Sequence, residues 1–350
     1  METVFLKNLK PLFDAIAEEM TLYVPTRLGE YYSFSRYDPS DATEAVFNNI
    51  RVSAPVKEFL FPMREVASTF GGQAPSEQKI KPFAVFGLKN CDLRGIKVLD
   101  CVFAEAEFLD PSYVARRDKM FIISGDCFDP AETCFCNMVG GRPFADEGFD
   151  LNLSKVKGGF LVQAGSDRGS RFVKENGRMF SDVPSGAAAE RDENRKQAQG
   201  RLDEINAEYL LDNPINEIVE DCYDSPLFEE EAAGCVECQG CTRVCPTCHC
   251  FYLYDTKQKD YFGKMKMWDS CMRCDYATVA GGQNPHKILG DRSRHRLMHK
   301  FVYFLERYGI EMCVGCGRCV EGCAGGSEVR QLLKKLNEEL KGKKQAKAAR

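Results

Sequence analysis

The chain has 350 residues, 44% of them hydrophobic and 28% charged, with a formal net charge of -5, which describes a soluble globular protein long enough for two or three modest domains. Collagen-like, coiled-coil and wholly disordered chains are excluded, and the acidic balance gives no global field for gripping nucleic acid. No apolar run of about 18 residues reads as a membrane span, and the start Met-Glu-Thr-Val-Phe-Leu-Lys lacks a secretory signal, so a cytoplasmic location is expected.

In chain order, Phe5, Leu9, Leu12, Phe13 and Ile16 predict an amphipathic helix over the first 20 residues. Strand-like runs follow at Thr21 to Pro25, Tyr31 to Ser35, Pro82 to Leu88, Phe121 to Ser124 and Gly159 to Gln163, with a helical pattern from Asp92 to Glu107. Residues 1–165 therefore read as an α/β or α+β domain. Residues 166–232 turn polar and read as a charged helical linker, with a helix through Arg191 to Leu211 and seven acids without a base from Glu217 to Glu231. The chain ends in a helix from Glu328 to Leu340 and a basic tail, Lys341 to Arg350, read as a solvated or disordered end or a docking arm.

The 18 cysteines are the abnormal number, and they cluster, five between residues 91 and 136 and thirteen between 222 and 323. Disulfides belong to secreted compartments and small scaffolds, so ligation by thiolate is favoured. With only four histidines, Cys-only sites are favoured over mixed Cys/His zinc centres.

Cys235-x2-Cys238-x2-Cys241-x3-Cys245-Pro246 is the spacing by which bacterial ferredoxins hold a 4Fe-4S cluster, and Cys313-x2-Cys316-x2-Cys319-x3-Cys323 repeats it. In two-cluster ferredoxins the fourth cysteine of each run serves the other cluster. Cys235, Cys238, Cys241 and Cys323 are thus assigned to a first cluster, and Cys313, Cys316, Cys319 and Cys245 to a second. The rival for these eight is a pair of zinc sites, which three cysteines in a row at two-residue gaps fit far less well. A mostly α-helical, ferredoxin-like domain over residues 233–327 follows, interrupted by an insertion at 246–312.

Cys248, Cys250, Cys271 and Cys274 of the insertion leave three readings open: a further cluster or zinc site, packing thiols, or a redox-active pair. Cys91, Cys127, Cys134 and Cys136 follow strand ends, where α/β folds place function. They suit a third 4Fe-4S cluster, buried structural thiols or zinc. Asp92, Arg94 and Asp126 beside them read as capping or salt-bridging residues before ligand-supporting ones, His249 as a hydrogen-bonding group before a ligand, and Cys101 and Cys222 as packing thiols. No dinucleotide- or triphosphate-binding glycine motif is present, so flavin or NAD(P)H chemistry is assigned to a partner.

Several segments carry a resemblance beyond spacing: Lys89-Asn90-Cys91-Asp92-Leu93-Arg94-Gly95, Gly125-Asp126-Cys127 with Glu132-Thr133-Cys134-Phe135-Cys136, Cys245-Pro246-Thr247-Cys248-His249-Cys250-Phe251, Trp268-Asp269-Ser270-Cys271, and Arg294-His295-Arg296 with His299-Lys300-Phe301. Together they resemble the iron-sulfur family that holds the sulfhydrogenase beta subunit and its counterpart in anaerobic sulfite reductase, from about residue 50 to 325; Cys274 lies outside the pattern. The resemblance implies an electron-transfer subunit between a flavoprotein that binds FAD and oxidises NAD(P)H and a separate catalytic redox subunit; it does not say which terminal enzyme is served, and a hydrogenase, sulfite reductase or heterodisulfide reductase type is expected. The alternative is an enzyme reducing a sulfur compound at its N-terminal cluster.

Overall fold

The computed structural model describes residues 2–40, 46–72, 80–105, 107, 109–257 and 261–348. Among them run eleven strands: β1 (Thr3–Leu6), β2 (Thr21–Leu28), β3 (Tyr31–Arg36), β4 (Arg64–Gly72), β5 (Phe83–Leu88), β6 (Met120–Gly125), β7 (Leu151–Val156), β8 (Gly159–Ala164), β9 (Phe180–Ser181), β10 (Phe251–Lys257) and β11 (Tyr261–Trp268). Contacts divide the chain into two compact units that interleave in sequence. The first takes Met1–Phe61, Pro75–Glu132 and Gly140–Asp203, the second Pro62–Ala74, Thr133–Val139 and Glu204–Arg350.

An eight-stranded sheet in the order β3-β2-β5-β6-β7-β8-β1-β9 organises the first unit. Its centre is parallel, β2 beside β5, β5 beside β6 and β6 beside β7, and antiparallel strands finish both sides. β5 (FAVFGL) and β6 (MFIISG) are buried at every residue, the unbroken apolar pattern that a parallel strand covered on both faces requires. A parallel pair also needs a crossover. Here the helix Asn90–Phe103 leaves the end of β5, and the helix Pro111–Lys119 delivers the chain to β6. The helix Leu9–Glu19 buries Leu12, Phe13 and Ile16 in a core shared with Leu22, Phe86 and Ile123, each such side chain contributing about 1.5–3 kcal/mol of transfer free energy.

The expected helix over the first 20 residues is corrected at its start. Thr3–Leu6 is a strand, with Phe5 opposite Leu161 and Ser181 on its two neighbours, because pairing inside the sheet satisfies backbone groups of both partners. The helix begins only at Leu9. Likewise the helix expected through Leu211 ends at Ile205, and the one expected to reach Glu107 ends at Phe103.

In the second unit, helices surround a core in which Leu332, Leu333, Leu336 and Leu340 of the helix Val329–Ala348 meet Ile215, Ile218 and Val219 of the helix Ile215–Asp221 and Leu297 and Phe301. The mostly helical expectation for this region is amended by a three-stranded antiparallel sheet, β10-β11-β4. Its hairpin lies in the insertion and β4 comes from far earlier in the chain. The basic tail is also ordered further than expected: the last helix runs to Ala348. Lys343 pairs with Glu339 at 2.8 Å, and Lys344 reaches Asn213 at 2.7 Å and Glu217 at 3.4 Å, so part of the acidic segment faces these lysines. Among the described residues no helix is long and apolar enough to cross a membrane.

Candidate iron-sulfur centres

The two cysteine runs of the second unit share one backbone pattern. In Cys235-Val236-Glu237-Cys238-Gln239-Gly240-Cys241 the third and fifth residues are left-handed, Glu237 at φ 54° and Gln239 at φ 63°. In Cys313-Val314-Gly315-Cys316-Gly317-Arg318-Cys319 the same two places are Gly315 at 62° and Gly317 at 70°. Left-handed residues set among right-handed ones turn successive N–H groups toward one side, a concavity suited to an anion. One such group already meets sulfur, the Gly315 N–H donating to Cys313; outside the runs' left-handed turns, the Ser327 N–H donates to Cys323 Sγ at 3.2 Å.

Two cavities lie beside the runs. One is lined by Cys313, Cys316 and Cys319 of the second run together with Cys245, the last cysteine of the first. The other is lined by Cys235 and Cys241 of the first run together with Cys323, the last of the second, and also by Cys319. Each fourth cysteine thus faces the cavity of the other run. Cys238 does not line either; it is exposed, whereas Cys245 and Cys316 are buried.

Burial alone opposes thiolates here. It pushes Cys313 up to about 12 and Cys319 up to about 11, against the opposing pull of Lys300 and Arg296 respectively. The compensating cations stand one turn apart where the helix Leu289–Met298 enters the π-helical segment His299–Tyr303. Lys300, 5% exposed, donates through Nζ to Cys245 Sγ and to Thr247 Oγ1, both at 3.3 Å. Arg296, 9% exposed, lines both cavities. Burial works against the charge on each, but Cys241 and Cys319 around Arg296, and Cys245 and Cys248 around Lys300, hold both proton affinities well above their ordinary values. Thiolates, sulfur-directed N–H groups and two buried cations together fit an anionic iron-sulfur cluster in each cavity. Among the described residues, no three His, Cys, Asp or Glu side chains converge closely enough to hold a single metal ion.

All four histidines fall in one row, His286 to His295 at 4.5 Å between ring centroids, His295 to His299 at 6.3 Å and His299 to His249 at 5.5 Å. Burial lowers His295, and burial with His249 lowers His299 to about 3, so these two rings are neutral near pH 7. His249 Nδ1 sits 3.0 Å from the Thr247 carbonyl oxygen, which agrees with a hydrogen-bonding role.

The other cysteines divide. Cys248 and Cys271 are buried and Cys250 is half-buried, whereas Cys274 is exposed. Cys271, pushed up to about 12 by burial and then by Cys250, also feels Cys241, Arg296 and Lys300. In the second unit Cys134 Sγ lies 3.8 Å from the Cys316 carbonyl oxygen, and the Phe135 N–H bonds the Gly315 carbonyl at 2.8 Å. In the first unit Cys91 and Cys127 flank Lys89, whose Nζ donates to the Asn48 and Asp126 carbonyls at 2.6 and 3.0 Å. Burial lowers Lys89 to about 8, partly offset by Cys127, Asp126, Asp92 and Cys91. Asp92 accepts the Lys89 N–H at 3.1 Å, and Asp126 binds Arg195 at 2.7 and 3.1 Å and Ser154 at 2.7 Å. These are the capping and salt-bridging roles. Cys222 is fully buried and donates to the Leu336 carbonyl at 3.4 Å, a packing thiol.

The residues that sequence reasoning leaves without a role are Arg296, Lys300 and Glu231, which lines the cavity of Cys235, Cys241 and Cys323. Arg296 and Lys300 stand in segments quoted for the resemblance, but the charges interleaved with Leu297, Met298 and Phe301 do not reveal their burial, and Glu231 is one acid of the charged segment read as a linker. Residues 234–327 match the family described as a 4Fe-4S dicluster domain. Over 331 residues the chain is 34% identical to the sulfhydrogenase 2 subunit beta of Pyrococcus furiosus, a match covering 94% of this chain and 96% of that protein.

Proposed function

From the premise that this chain belongs to the sulfhydrogenase beta-subunit family, we propose that it is an iron-sulfur electron-transfer subunit, relaying electrons between a flavoprotein that oxidises NAD(P)H and a separate catalytic redox subunit. The proposal assigns Cys235, Cys238, Cys241 and Cys323 to one 4Fe-4S site and Cys313, Cys316, Cys319 and Cys245 to the other. What supports it above all is the crossed lining of the two cavities, with Cys245 beside the second run and Cys323 beside the first.

A 4Fe-4S cluster, when bound, accepts and returns single electrons at a potential its surroundings set. The chain's residues supply those surroundings. The thiolates would hold the iron, the Gly315 and Ser327 N–H groups bond cysteine sulfur, and Lys300 and Arg296 would offset the negative charge. A third cluster on Cys91, Cys127, Cys134 and Cys136 rests on the sequence.

The test is iron and acid-labile sulfide per chain on anaerobically purified protein, each 4Fe-4S cluster contributing about four of each. About eight of each is expected from the two cavities, and about twelve would add the third cluster. Cys316→Ser should remove about four irons and abolish electron transfer from a reduced flavin donor to an artificial acceptor. Zinc in place of iron, or full transfer by that variant, would sink the proposal.

A further inference from the structure

The two cysteine sets stand in unequal fields. The cavity of Cys245, Cys313, Cys316 and Cys319 is lined by two cations, Arg296 and Lys300, and no carboxylate. That of Cys235, Cys241 and Cys323 is lined by Arg296, shared with its neighbour, and by one carboxylate, Glu231. Arg296 Nε is buried without a hydrogen-bond partner among the described residues, as a cation facing a diffuse anion would be. Lys300 touches Cys245 directly, at 3.3 Å. His295 and His299 are neutral near pH 7 and so add no charge to this balance.

A fixed positive charge beside an anionic redox centre favours the form with the extra electron, and a fixed carboxylate disfavours it. The geometry points to Arg296 and Lys300 as positioning residues that grade the two sites: Lys300 raises the potential of the Cys245 set alone, Arg296 raises both, and Glu231 lowers the Cys235 set. Electrons therefore collect at the site holding Cys245, and the site with the exposed Cys238 is the less occupied of the two. The inference rests on reading both sets as 4Fe-4S sites.

An EPR-monitored redox titration of the full chain, purified without oxygen and assayed for iron, tests it. The wild type should show two unequal midpoints. Lys300→Met should lower one of them alone, the higher, by about a tenfold change in the ratio of reduced to oxidised centres at fixed potential, equivalent to about 59 mV for one electron. Lys300→Arg should restore it, Arg296→Met should lower both, and Glu231→Gln should raise the lower one. Fully loaded Lys300→Met with unmoved midpoints, or with both moved equally, overturns the inference. If that variant loads poorly, Lys300→Gln replaces it. Failure of both neutral variants to load, while Lys300→Arg loads fully, makes the charge an assembly requirement and also overturns the tuning role. Wild-type protein with fewer than about eight irons per chain fails at the earlier step, the reading of the sites themselves.

Discussion

Gly317 and Gln239 occupy equivalent places in the two cysteine runs, both left-handed, yet they are not equally replaceable. A Cβ on Gly317 would lie 2.2 Å from the Thr133 carbonyl oxygen, and one on Gly315 would lie 2.5 Å from Cys136 Cα. Residues 133–136 press on the second run too closely for any side chain. The first run has no such neighbour at Gln239, whose Oε1 instead accepts from Arg243 at 3.0 Å. Gly317→Ala should therefore cost about 2–5 kcal/mol, left-handed strain of about 1–2 kcal/mol plus overpacking of about 1–3 kcal/mol. Gln239→Ala, which keeps the strain it already has and loses one hydrogen bond, should cost about 0.5–1.5 kcal/mol. Denaturation followed by Trp268 fluorescence separates the two cases, since this single tryptophan lies in the same unit. Equal costs would mean that residues 133–136 do not constrain the run.

At the scale of elements, the decisive piece is the helical stretch from Leu289 to Tyr308, α-helical, then π-helical over His299–Tyr303, then α-helical again. A π turn accommodates one extra residue. Inserting an alanine after Tyr303 adds a second residue, one the π turn has not absorbed, and should turn the following residues by about 100° relative to the preceding ones. That would pull Phe304 from the core and break the bond from the Met312 N–H to the Lys300 carbonyl at 3.2 Å, with loss of bound iron as the readout. Little of this is legible in the sequence. The cysteine spacing makes both runs legible, and unbroken apolar runs do the same for β5 and β6. The β10–β11 hairpin is not, because its exposed positions include Phe251 and Leu253 as well as Asp255 and Lys257, which blurs a period of two. β4 escapes notice because its partner, β11, lies far along the chain. Arg296 and Lys300 stand within a recognisable motif, but nothing local reveals that a cation will be buried among thiols.

For the molecule as a whole, the interleaving of the units matters most: the chain passes from one to the other after residues 61, 74, 132, 139 and 203. No single cut separates them. A fragment of residues 204–350 contains all eight cysteines of the two runs, but it lacks β4, leaving β11 with an open edge, and lacks Phe135 and Val139 from the core. It should load less iron than the full chain, while full loading would show the runs to be self-sufficient. A different consequence follows from the unequal exposure of the ligands. Cys238 meets water, whereas Cys245 and Cys316 do not. An oxidant or chelator arriving from solution would reach the set of Cys238 before the set of Cys245 and Cys316, so damage would have an order. Bleaching in air should proceed in two phases, and the chain would pass through a half-loaded state whose surviving iron sits beside Lys300.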